Sequence, residues 1–183
     1  MSARDRLLDA ANELFYSEGV HTVGIDRVIE RAGVAKASLY NTFGSKDELV
    51  RAYLKSRHAG TIERLRTAVS ARPDPTQRLL APFDVQAELF RQKDFHGCAF
   101  VSAAAEASEG GVIEQTADEF RADIRALFTD LARDAGAIDP EALGRQLQLI
   151  YDGAGISARM DRDPRAAEPA RAAAEVLIQT ALQ

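Results

Sequence analysis

The chain has 183 residues, 46% hydrophobic and 28% charged, enough to bury one medium domain or a small domain beside a larger one. No apolar run approaches the roughly 20 residues of a membrane span; Arg4, Asp5, Arg6, Asp9, Glu13 and Glu18 leave no room for an apolar secretory signal, and the lone Cys98 excludes an internal disulfide, so a cytoplasmic protein without a membrane partner is expected. The formal net charge of -5 hides an asymmetry, since residues 1–60 carry nine Lys and Arg against eight Asp and Glu, and local charge rather than the total governs contact with phosphate.

Ser2 with Asp5 reads as the capped start of a first helix over about 3–18, with Leu7, Leu8, Ala11, Leu14 and Phe15 at helical spacing and Gly19 closing it. Ile25, Val28, Ile29 and Ala32 form a two-turn amphipathic segment stopped by Gly33, and Lys36 to Phe43 form another. Two short helices thus flank a tight turn that Gly33 permits, with Val34 and Leu39 packing them together. Ser45-Lys46-Asp47-Glu48 has capping-box spacing and predicts a long helix to about residue 70. After Pro73 and Pro75, the next helix carries Leu79, Leu80, Phe83, Ala87 and Phe90 on one face, and Pro82 inside it predicts a kink. An Ala-rich helix is expected from about Cys98 to Ser108, followed by Gly110-Gly111. Ile113, Ala117, Phe120, Ile124, Leu127, Phe128 and Leu131 then trace one stripe that ends near Gly136. Asp139-Pro140 and Asp163-Pro164 each pair an N-cap with a first-turn proline and start the last two helices. The fold class is all-α, with nine helices and no strand.

The eighth helix is apolar on two sides. Leu143, Leu147, Ile150, Ala154 and Ala158 line one, while Leu149, Gly153, Ile156 and Met160 line the other, and Gly144, Gly153 and Gly155 would let a neighbouring helix approach. The last helix, which includes Leu177, is apolar too. Leu149, Gly153, Ile156, Met160 and Leu177 therefore read as half of a four-helix homodimer interface. The competing reading is that these helices close the monomer's own core.

Gly19 through Val50, GVHTVGIDRVIERAGVAKASLYNTFGSKDELV, resembles the signature segment of the tetracycline-repressor (TetR) family: a Gly after the first helix, Ala32-Gly33-Val34 at the turn, Ser38-Leu39-Tyr40 in the recognition helix, Phe43, and Ser-Lys-Asp-Glu-Leu opening the fourth helix. The resemblance implies a three-helix helix-turn-helix DNA-binding domain over 1–46 and a helical ligand-binding and dimerisation domain over 47–183. Lys36, Ala37, Ser38 and Asn41 would enter the major groove, and Tyr40 and Lys46 match positions at which family members hold phosphates. Thr22 and Arg27 are further DNA candidates, with Arg31 as readily a solvated charge as a contact. Where the family often has Thr or Ser at the N-cap of the second helix, Gly24 caps without offering phosphate a hydroxyl.

Phe95-His96-Gly97-Cys98-Ala99-Phe100 is similar to the Gly-Cys helix start of one TetR subgroup. Residues able to line a ligand cavity are His58, Phe83, Phe90, Cys98, Phe120 and Tyr151, although aromatic side chains equally serve as plain core. With only Lys93 as a nearby cation, Cys98 reads as a structural thiol, with a redox sensor as the alternative. His96 and Cys98 make a poor metal site; neither metal nor cofactor is expected. No nucleophile elbow, phosphate loop or His-Glu-Xaa-Xaa-His motif suggests an enzyme. The expectation is a ligand-responsive repressor that binds a palindromic DNA operator as a dimer and is released by a small-molecule effector, with the fourth helix as lever; the alternative is a DNA-binding activator or architectural protein without a ligand.

Overall fold

The computed structural model describes residues 1–107 and 109–183. Among the described residues there are nine α-helices, one 3-10 turn and no strand: α1 (Ala3–Glu18), α2 (Ile25–Ala32), α3 (Lys36–Phe43), α4 (Lys46–Ser70), α5 (Pro75–Phe90), α6 (Ala99–Ala105), α7 (Val112–Asp134), α8 (Pro140–Met160) and α9 (Ala167–Ala181). They divide into two compact units, Met1–Ala59 with Cys98–Phe120, and Gly60–Gly97 with Arg121–Gln183. None of the described helices is long and apolar enough to cross a membrane.

In the first unit, α1 starts on the expected capping box: Ser2 Oγ accepts the Asp5 N–H at 3.1 Å, and the Asp5 carboxylate accepts the Ser2 N–H at 3.0 Å. These hydrogen bonds from Ser2 hold the Asp5 carboxyl below the usual carboxylate value. Leu7, Leu14 and Phe15 are buried, and Phe15 meets the ring of Tyr53 edge-on at 5.6 Å. Burial pushes the Tyr53 phenol up to about 12. Gly33 ends α2 in the left-handed conformation (φ +63°), where glycine avoids the Cβ clash of other residues, and the Val34 N–H reaches back to the Ile29 carbonyl at 3.3 Å. Val28 and Leu39 are then fully buried between the crossed helices α1, α2 and α3, each burial contributing about 1.5–3 kcal/mol.

In the second unit, α9 packs on α5 and on α8. Asp74 Oδ1 caps α5 by accepting the Gln77 N–H at 2.8 Å, and Pro82 lies buried inside that helix, which nevertheless continues to Phe90. Phe83, Phe128 and Tyr151 form one aromatic cluster, with ring centres 5.7–6.1 Å apart. α7 and α8 are tied by polar contacts: Arg121 pairs with Asp152 at 2.7 Å, Arg125 Nε donates to Gln148 Oε1 at 2.8 Å, and Gln148 Nε2 donates to the Arg121 carbonyl at 2.9 Å. Burial raises the Asp152 carboxyl above its usual value, although Arg121 opposes the shift.

Four details depart from the sequence reading. Asp163-Pro164 opens a 3-10 turn, Pro164–Ala166, with Asp163 Oδ1 accepting the Arg165 N–H at 2.9 Å, and α9 follows only from Ala167. α6 is shorter than expected, with Cys98 as its N-cap and Ala105 its last residue; the expected end at Ser108 lies outside the described residues. At α4, Ser45 Oγ accepts the Glu48 N–H at 3.2 Å, but the Glu48 carboxylate takes Arg51 at 3.0 Å. Gly144 serves this chain rather than a partner: a Cβ there would come within 3.0 Å of the Thr129 backbone on α7.

Candidate nucleic-acid interface

α3 owes its position to a single buried side chain, Leu39, with 0% of its surface exposed. Phe43 at its end is half-buried, and most of the rest faces outward. Lys36, Ala37, Tyr40, Asn41 and Thr42 are exposed, and Ser38 is half-buried. Its N-cap is Ala35, so no side chain satisfies the first-turn N–H groups, and the positive end of the helix stays available to an anion. Lys46 sits half-buried at the start of α4, a short distance along the chain from α3.

The charges around this surface are paired more than their spacing suggests. Lys36 Nζ lies 2.9 Å from Asp26, Arg31 2.6 Å from Glu13, and Arg27 donates to Glu18 at 3.0 Å. The hydrogen bond and charge of Asp26 raise the Lys36 ammonium above its ordinary pKa, and Arg27 in turn lowers that of Glu18. Such solvent-exposed pairs are weakly held and can exchange a carboxylate for a phosphate. Thr22 is exposed in the turn before α2, and Gly24 caps α2 without a side-chain bond.

Two further candidates escaped the sequence reading. Thr42 is exposed on α3 with its hydroxyl donating to the Ser38 carbonyl at 2.6 Å. The Arg4 guanidinium lies 5.8 Å from the centre of the Phe43 ring, and an open groove of about 380 Å³ beside it is lined by Arg4, Phe43, Arg51 and Lys55. Arg4 could not be found by spacing, because its neighbour Phe43 lies two helices later in the chain.

The residues proposed for a ligand cavity fall into separate clusters. In the first unit, the Phe100 and Phe120 rings stack 3.9 Å apart with His58 edge-on to both, and half-buried Cys98 caps α6. In the second, Phe83 and Tyr151 join Phe128, while Phe90 pairs with Phe95 at 4.9 Å. Gln86, buried beside them, donates Nε2 to the Tyr151 carbonyl at 2.8 Å. Among the described residues no group of three or more His, Cys, Asp or Glu is placed to hold a metal ion.

On α8, Leu143, Leu147, Ala154 and Ala158 are buried and Ile150 is half-buried, whereas Leu149 is 69% exposed, Met160 75% and Ile156 44%. A Cβ at Gly153 would meet nothing within 4 Å. Leu177 of α9 is half-buried, and its neighbour Val176 is exposed.

Residues 7–53 match the profile of the bacterial regulatory proteins of the tetR family. The chain superposes on the crystal structure of a TetR-family transcriptional regulator from Streptomyces coelicolor with a TM-score of 0.93 and 31% identity, over 99% of this chain and 96% of that one. It is 33% identical over 133 residues to the HTH-type transcriptional activator FasR of Mycolicibacterium smegmatis, covering 73% of this chain and 60% of FasR. It is also 30% identical over 82 residues to the HTH-type transcriptional repressor KstR2 of Mycobacterium tuberculosis, covering 45% of this chain and 41% of KstR2.

Proposed function

The chain belongs to the TetR family of bacterial helix-turn-helix transcriptional regulators and is not an enzyme, and from that premise we propose that it works in the cytoplasm as a homodimer. Two copies of α3 grip a palindromic operator, and a small-molecule effector bound in the helical region beyond residue 46 releases them. Lys36, Ala37, Ser38 and Asn41 read base edges; Tyr40 and Lys46, with Thr22 and Arg27 beside them, hold phosphates. The observation that carries this reading is α3 itself, anchored by the fully buried Leu39 while its polar face is open.

Release follows if the effector binds more tightly to a dimer whose recognition helices no longer match successive major grooves, about 34 Å apart. α4 begins with the phosphate candidate Lys46 and carries the cavity candidate His58, which supports its role as lever. The FasR relative is named an activator and KstR2 a repressor; the role proposed for this chain is repression, and transcription from an operator-bearing promoter with and without the protein decides between them.

The test is a duplex selected from a random library by the wild-type protein. Tyr40→Ala and Lys46→Ala should each weaken binding about tenfold on every sequence, and Lys46→Ala, which removes a charge, should also lower the salt slope by about one. Ser38→Ala or Asn41→Ala should instead change which sequences are preferred. A purely sequence-selective loss at Tyr40 and Lys46 would remove their phosphate role.

A further inference from the structure

We propose that Glu106 is a positioning residue for DNA binding: its carboxylate, at the end of α6, clamps the backbone of the turn between α1 and α2 and so sets the pose of the two helices that follow. This rests on the reading of α2 and α3 as the DNA-binding pair.

Glu106 is the C-cap of α6, and its Oε2 accepts the His21 N–H at 2.7 Å across 85 residues of chain. Such a charge-assisted hydrogen bond is shorter and stronger than a neutral one. The other carboxylate oxygen occupies the space beside Gly19, where a Cβ would lie 2.7 Å from it. The turn is thus shaped around this one side chain. On either side of His21, Val20 and Val23 are buried in the core, while Thr22 faces out. The amide held by Glu106 therefore lies between two apolar anchors and directly before the exposed residue that precedes α2.

The opposite end of α6 is equally fixed. Phe100 stacks on Phe120 of α7 at 3.9 Å with their planes 5° apart, and the His58 ring of α4 stands edge-on to both. A helix of seven residues is too short to bend appreciably. α6 acts as a strut in the first unit, from the aromatic sandwich to the α1–α2 turn.

The experiment uses the full chain with Glu106→Ala and Glu106→Gln, the duplex selected by the wild type, hydrogen exchange at the His21 amide, and the thermal midpoint. Glu106→Ala should speed His21 exchange at least about tenfold and weaken the duplex about five- to tenfold, with little change in the midpoint. Glu106→Gln, which keeps a carbonyl acceptor, should recover most of both. Unaltered duplex affinity in Glu106→Ala would overturn the positioning role even if His21 exchanged faster, and unaltered exchange would overturn the clamp itself. A fall in midpoint that matches the loss of affinity, with no rescue by Gln, would make Glu106 merely structural. If the wild type selected no duplex, the proposed function would fall and the positioning role with it, while His21 exchange would still report separately on the clamp.

Discussion

α3 and α8 both present side chains that the rest of the chain leaves uncovered, yet the two surfaces are incomplete in different ways. On α3 the exposed residues are Lys36, Ala37, Tyr40, Asn41 and Thr42, small or able to hydrogen-bond with water; such a surface is stable alone and suits a partner met intermittently. On α8 the large apolar side chains Leu149, Ile156 and Met160 are exposed alongside polar ones such as Arg145, Gln146 and Ser157, and Val176 of α9 is exposed too. Leaving apolar surface wet forgoes about 25 cal/mol per Å², so this face suits a lasting partner. A surface without large aliphatic side chains and one that carries three of them thus point to different lifetimes of contact.

The largest effect should come from placing charge on the α8 face. Burying an unpaired carboxylate costs several kcal/mol, so Leu149→Asp with Met160→Asp should raise the homodimer dissociation constant at least about 100-fold, read by sedimentation. An unchanged mass distribution would mean that this face meets no second copy, and the contrast with α3 would be lost.

The inward and outward sides of α8 separate at two glycines. Gly144→Val drives a side chain into the Thr129 backbone and should cost about 1–3 kcal/mol of unfolding free energy. Gly153→Ala meets nothing, and in a helix interior Ala favours folding by up to about 1 kcal/mol. Denaturant unfolding measures both, and equal losses would erase the distinction between the two sides.

The smallest effect tests whether the charges on α3 are held in reserve. Asp26→Asn removes the carboxylate that pairs with Lys36 and should strengthen binding to the selected duplex about two- to threefold while steepening its salt dependence. If titration across salt showed no difference, Lys36 would not face the DNA.

The Ser2–Asp5 capping box, the Gly33 turn, the Leu39 anchor and the two sides of α8 were legible in the amino-acid order, because each depends on residues within one or two helical turns, where spacing fixes direction. The same local signals misjudged α6 and the start of α9. A cap and a proline permit a helix at Asp163-Pro164, but whether its first turn is 3-10 or α depends on what it packs against. Tertiary structure alone decided that Gly144 serves α7, that Arg27, Arg31 and Lys36 already have carboxylate partners, that the cavity candidates separate into clusters, and that Glu106 holds the His21 amide. All of these depend on residues from different elements of the chain, and the periodicity of one helix carries no information about the distance to another.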